Sequence, residues 1–192
     1  GHKKIALVTG HLQEDGVMQK RYRGFLKAIE QNGLEFQKEN LYEATVDYES
    51  GVNAAKWFVD NKADITAVVA TADVLAIGLM KGFYEQGVQV PEDISIIGFD
   101  DMLWCELTAP PLSCIHRDIR QMAELASQAL FDRINHLPAS PLARYADVHL
   151  ILRDSTRMID NGPLGEQAVS PDSISLSAEE KALLKKGHYQ VA

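Results

Sequence analysis

The feature that most narrows what this chain can fold into is the exchange of two hydrophobic periods along its first hundred residues. Short apolar runs alternate with longer stretches in which apolar residues recur every three or four positions. A mostly parallel α/β sheet has this layout, because parallel neighbours need a crossover long enough to hold a helix. Residues 5–9 read as a buried strand ending in a turn at Gly10. A helix over 17–31 follows, with Tyr22, Phe25, Leu26 and Ile29 at helical spacing, and Asn32-Gly33 stops it. Residues 41–44 form a weaker strand, and 48–61 a helix whose apolar face is Val52, Ala55, Phe58 and Val59. A buried strand at 67–70 precedes a helix over 73–86 closed by Gly87, and Pro91 opens a unit whose strand is 94–99. Right-handed crossovers then put helices on both faces of a twisted sheet.

The second half is less regular. Pro110-Pro111 breaks the chain before a short strand at 112–116, and Asp118 caps a helix whose face is Ile119, Met122, Ala123, Ala126, Leu130 and Ile134. A loop at 137–141 and an alternating strand at 148–153 follow. From 160 to 175 Gly, Pro, Ser and acidic residues dominate, the composition of a linker. Ser177 with Glu180 makes a capping box for a short helix that Gly187 stops, and 188–192 resembles the first residues of another strand. The expected organisation is one domain over 1–159, a linker over 160–175, and the start of a further domain over 176–192.

The formal net charge of −8 argues against this chain gripping nucleic acid by itself, since phosphate binding needs a concentrated basic face. Cys105 and Cys114 form no C-x-x-C pattern and read as reduced, small hydrophobes in a cytoplasmic protein. No apolar run reaches membrane-spanning length. The six histidines show no metal-ligand spacing, and no glycine-rich phosphate loop or G-x-S-x-G occurs, so neither cofactor nor catalytic site is expected. His116 and His149 read as strand surface residues.

In open α/β sheets ligands bind beyond the carboxyl ends of the strands. Four positions qualify: the loop after Thr9, the segment before Tyr48, Thr71-Ala72-Asp73, and Asp100-Asp101. Asp100 follows the apolar run Ile96-Ile97-Gly98-Phe99 and should project at the mouth of the site, where a carboxylate accepts hydrogen bonds from vicinal hydroxyls. The plainer reading is that Asp100 or Asp101 caps a following short helix. Arg21, on the first long helix, offers a fork of donors, against the alternative of an exposed basic face shared with Lys20 and Arg23. Asp73 is expected as the N-cap of its helix ahead of a polar wall of the site, and Trp57 and Trp104 as packing or interface residues ahead of ligand platforms.

Taken together, Val90-Pro91-Glu92-Asp93-Ile94-Ser95-Ile96-Ile97-Gly98-Phe99-Asp100-Asp101, Pro110-Pro111-Leu112-Ser113, Arg21-Tyr22-Arg23-Gly24-Phe25, Tyr48-Glu49-Ser50-Gly51 and Ala76-Ile77-Gly78 resemble the lactose-repressor/galactose-repressor (LacI/GalR) family of bacterial transcription regulators, over residues 2–157. The resemblance implies an α/β, periplasmic-binding-protein-like lobe, with a mostly parallel sheet, helices on both faces and the N-terminal lobe largely missing. Residues 113–137 would cross to that missing lobe and 145–153 would return. It implies a sensor, not an enzyme, that binds a small polar metabolite, often a sugar or nucleobase, forms a homodimer, and meets DNA through a domain absent from this chain. Arg21 and Asp100 match two of the family's ligand contacts. Val46 and Ala72 stand where family members often have an aromatic ring and Asn, with Tyr48 or Trp104 able to compensate. Leu75, Ile77, Met80, Trp104 and Thr108 match its dimer surface.

Two rivals follow from the same residues. A solute-binding receptor of a transporter would share the fold and carry a secretion signal upstream. An enzyme using Asp100 and Asp101 as a magnesium site lacks a second acidic cluster. With its companion lobe missing, the strand near 112–116 and the helix 119–134 are expected to expose an apolar face and a sheet edge, covered by self-association, domain swapping or local disorder.

Overall fold

The structure is a computed structural model that describes residues 1–14, 16–61, 63–136, 146 and 148–159. Ten main elements follow one another: β1 (Ile5–Gly10), α1 (Val17–Gln31), β2 (Leu41–Ala44), α2 (Tyr48–Asp60), β3 (Ala67–Ala70), α3 (Asp73–Glu85), β4 (Ser95–Asp100), β5 (Ser113–Arg117), α4 (Ile119–Ile134) and β6 (Val148–Ile151). A 3₁₀ turn, Leu103–Glu106, lies between β4 and β5. The expected loop at 137–141, the linker at 160–175 and the helix and strand start at 176–192 lie outside the described residues.

The six strands are ordered β2-β1-β3-β4-β5-β6, and every pairing from β2 to β5 is parallel. Because β1 is followed by β2 on one side and reached by β3 on the other, the strand order reverses between β1 and β3. Right-handed crossovers in opposite directions place α1 on one face and α2 with α3 on the other. The alternation of β1 follows: Ala6 and Val8 join the cluster that holds Ala54, Ala55, Phe58, Leu75, Leu79 and Phe83, while Leu7 is buried outside it.

Helices α2 and α3 approach unusually closely. A Cβ added to Gly51 would lie 2.3 Å from the Leu75 carbonyl oxygen, and one added to Gly78 2.2 Å from that of Tyr48. Backbone contact of this kind is open only to glycine. The segment after β6 stitches the sheet from its side: the Ser155 hydroxyl donates to the Ile96 carbonyl at 2.7 Å and accepts from the Ser113 amide at 2.8 Å.

The described residues divide into two compact units, one from Gly1 to His116 with the chain from Leu150, the other from Arg117 to His149. Residues 113–116 belong to the first unit and pair with β4 from Ile97↔Ser113 to Asp100↔His116. In the second unit Asp118 caps α4 as expected, accepting from the Gln121 amide at 2.8 Å. Ile119, Leu130, Phe131 and Ile134 of that helix are exposed.

Candidate effector site

The reversal between β1 and β3 is where an open parallel sheet leaves a crevice at the carboxyl ends of its strands. Here Thr9 and Thr71 lie at the two strand ends, both buried, with the Thr71 hydroxyl donating to that of Thr9 at 3.1 Å. The Thr71 amide bonds the Val8 carbonyl at 2.9 Å and fixes the two strand ends against each other.

Arg21 comes from α1 to these strand ends. One guanidinium nitrogen donates to the Thr71 carbonyl and the other to Asp100 Oδ1 at 3.3 Å. The guanidinium lies 3.8 Å from the centroid of the Phe99 ring, which supports it from beneath by a cation–π contact. Arg21 keeps only 10% of its side chain exposed and Asp100 22%, so the carboxylate is the more open half of the pair. The two residues selected from sequence therefore meet each other at the reversal point.

Asp100 and Asp101 both have positive φ, 111° and 61°. Two consecutive non-glycine residues in that region cost on the order of 1–3 kcal/mol each and persist only where neighbours over-determine them. Asp101 supplies the restraint. It forms an ion pair with Arg153 at 2.7 Å and a contact with His116 Nδ1 at 2.9 Å, while Arg153 also donates to the Leu112 carbonyl at 2.7 Å. Burial pushes the Asp101 carboxyl up, but Arg153 and His116 outweigh it and hold the group below its ordinary value. Asp101 is thus an anchor for the turn and not a helix cap; the 3₁₀ turn that follows begins after Met102.

The other expected residues fall as follows. Val46 and Tyr48 are each two-fifths exposed beyond the end of β2, beside Asp47, which caps α2 by accepting from the Ser50 amide at 2.7 Å. Ala72 is buried and is itself the N-cap residue of α3. Asp73 corrects the expectation of a cap: it is the first helical residue, buried, and accepts from the Met102 amide at 2.8 Å. Burial raises its carboxyl above the ordinary value. Of the residues matched to a dimer surface, Leu75 is fully buried in the core and Met80 nearly so, which leaves them little surface for a partner. Ile77 and Thr108 are half-buried, and Trp104 is exposed beside Leu103 and Leu107. Trp57 packs against Tyr42 and Phe58.

Sequence reasoning missed Phe99, Thr71 as an acceptor for Arg21, and the Arg153–Asp101–His116 anchor. His116 was legible only as a strand surface residue. The available signal was a charge in need of a partner: Arg153 closes the alternating strand reading at 148–153.

The periplasmic binding protein-like domain model matches residues 1–156. The chain belongs to that family. Within it, the likeness is to the effector-binding domain of LacI-family transcription regulators. The repressor PurR of Mannheimia succiniciproducens is 33% identical over 159 residues, which are 83% of this chain and 47% of that protein. A sugar-binding transcriptional regulator of the LacI family from Escherichia coli, solved with phosphate, superposes with a TM-score of 0.73 at 31% identity, covering 81% of this chain and 55% of that one. The transcriptional regulator CelR in complex with cellobiose gives 0.75 at 28% identity, over 81% of this chain and 47% of that one. The chain thus spans about half the length of these relatives, which are transcription regulators and not enzymes. Among its described residues no helix is long and apolar enough to cross a membrane.

Proposed function

We propose that this chain is the effector-sensing and dimerising part of a bacterial DNA-binding transcription regulator that works in the cytoplasm. The observation that carries the reading is the Arg21–Asp100 pair, mounted on Phe99 at the point where the strand order reverses. A partly exposed carboxylate held by a covered guanidinium presents fixed acceptors to a neutral, hydroxyl-rich metabolite. A sugar suits that pattern, and the cellobiose held by CelR and the likeness to the sugar-binding Escherichia coli regulator support this class.

The net charge of −8 supports a division of labour in which DNA is read by a domain outside this chain. The ligand would couple to DNA through two closure states of differing affinity. For the homodimer, the exposed apolar side chains Tyr84, Leu103, Trp104 and Leu107, with the half-buried Ile77 and Thr108, support a surface drawn from α3 and the 3₁₀ turn with the residues after it.

The test is calorimetric titration of the full-length parent protein with neutral mono- and disaccharides, beside its Asp100→Ala variant. Losing one or two charge-assisted hydrogen bonds, about 1.5–3 kcal/mol each, should weaken the bound sugar at least about tenfold. Unchanged affinity in the variant would sink the site assignment.

A further inference from the structure

Beneath the 3₁₀ turn lies a cluster that the effector reading leaves unused. Asp73, Cys105 and Cys114 come from three different elements: the first turn of α3, the 3₁₀ turn and β5. All three are buried, and one ligand atom from each lies within 4.8 Å of the other two. The Cys114 thiol donates to Asp73 Oδ1 at 3.3 Å, while Oδ2 accepts from the Met102 amide at 2.8 Å. We infer that Asp73, Cys105 and Cys114 form a binding site for one thiophilic divalent cation of the zinc and cadmium type.

The geometry suits such an ion. A tetrahedral centre with metal–sulfur bonds of about 2.3 Å and a metal–oxygen bond of about 2.0 Å needs sulfur–oxygen edges near 3.5 Å and a sulfur–sulfur edge near 3.8 Å. The cluster already has its measured edge at 3.3 Å and its others within 4.8 Å. The carboxylate is divided as a metal ligand should be, with Oδ1 facing the thiols and Oδ2 oriented by a backbone donor. Gly98 on β4 keeps the place clear: a Cβ there would lie 2.6 Å from Asp73 Oδ1 and 3.2 Å from Cys114 Sγ. Two thiolates and one carboxylate favour a soft or borderline ion over magnesium or calcium, which prefer all-oxygen shells.

On binding, the two thiol protons pass to solvent and two metal–sulfur bonds replace them, with no change of oxidation state. Because both thiols are buried, the ion enters when the 3₁₀ turn opens. That turn is held by the Met102 amide on Asp73 and by the Leu112 amide on the Cys105 carbonyl at 2.8 Å. An ion in place would fasten the start of α3, directly after Ala72, to the turn that carries Leu103, Trp104 and Leu107.

The experiment titrates cadmium(II) into the reduced chain and follows the thiolate-to-cadmium charge-transfer absorption together with the melting temperature. The expected result is a charge-transfer band saturating at one ion per chain, with the melting temperature raised. Cys105→Ser and Cys114→Ser should each weaken the band and abolish the thermal shift, and Gly98→Ala should abolish the shift while keeping both thiols. Absence of the band would overturn the site. So would a band accompanied by a lowered melting temperature, since cadmium would then be binding the cysteines of the unfolded chain.

Discussion

Adding a single methyl group at Gly51 tests the close approach of α2 and α3. In Gly51→Ala the new Cβ meets the Leu75 carbonyl oxygen at 2.3 Å, the Gly78 Cα at 2.9 Å and the Leu79 amide nitrogen at 3.0 Å. All three are backbone atoms, so no side chain can swing aside, and α3 must retreat from α2 by roughly 1 Å to restore ordinary contact. A radial gap of that size forfeits a quarter to a half of each dispersion contact along the seam. Overpacking of this severity costs about 3 kcal/mol, and alanine's better helix propensity returns about 1, for a net loss near 2 kcal/mol. Gly78→Ala, whose Cβ meets the Tyr48 carbonyl oxygen at 2.2 Å, should behave alike. The double variant should lose less than the sum, because the first retreat already opens the seam for the second methyl. Gly24 on α1 is the internal control: nothing lies within 4 Å of its Cβ position, so Gly24→Ala should stabilise by about 0.5–1 kcal/mol. Urea unfolding followed by circular dichroism reads both, with the Gly51→Ala midpoint falling by about 1 M at an m-value near 2 kcal/mol/M. A neutral or stabilising Gly51→Ala would refute the argument that the α2–α3 approach requires glycine.

Three further outcomes follow. Arg153→Met should cost about 3 kcal/mol, because it leaves the Asp101 carboxylate buried beside only His116; urea titration checks it, and a cost below about 1 kcal/mol would contradict the anchor. Since Asp101 is held below its ordinary value, the stability it contributes is present above about pH 4 and lost as the pH falls through the depressed value, so Asp101→Asn should flatten the acid limb of the stability profile. If Leu103, Trp104 and Leu107 form the dimer surface, Trp104→Asp should shift sedimentation toward the monomer, and an unchanged sedimentation coefficient would contradict that surface.

The elements were legible because each strand is short, apolar and bounded, and each helix carries a full stripe. The helix bounds of α1 and α4 and the strands β2 and β3 fall where periodicity puts them. Arg21 and Asp100 were legible through position at strand ends combined with chemistry. What the one-dimensional pattern hides is contact between distant segments. Nothing local shows that Asp73 turns from a capping role to the Met102 amide 29 residues away, or that Arg153 reaches back to Asp101. The burial of Leu75 was hidden for a related reason: α3 is apolar on most of its circumference, so periodicity cannot say which side meets the core and which meets a partner. The registration of β5 against β4 likewise depends on the sheet and not on the residues around Ser113.

The most direct test of the proposed effector site is an amide chemical-shift titration of the isotopically labelled chain with neutral mono- and disaccharides. Such a titration detects weak binding, so it works even when a second lobe is needed for full affinity. The account predicts that the largest shifts cluster at Arg21, Thr71, Phe99, Asp100 and Asp101. Shifts confined to the opposite region of Met80, Tyr84 and Pro110, or none at saturating sugar, would contradict it.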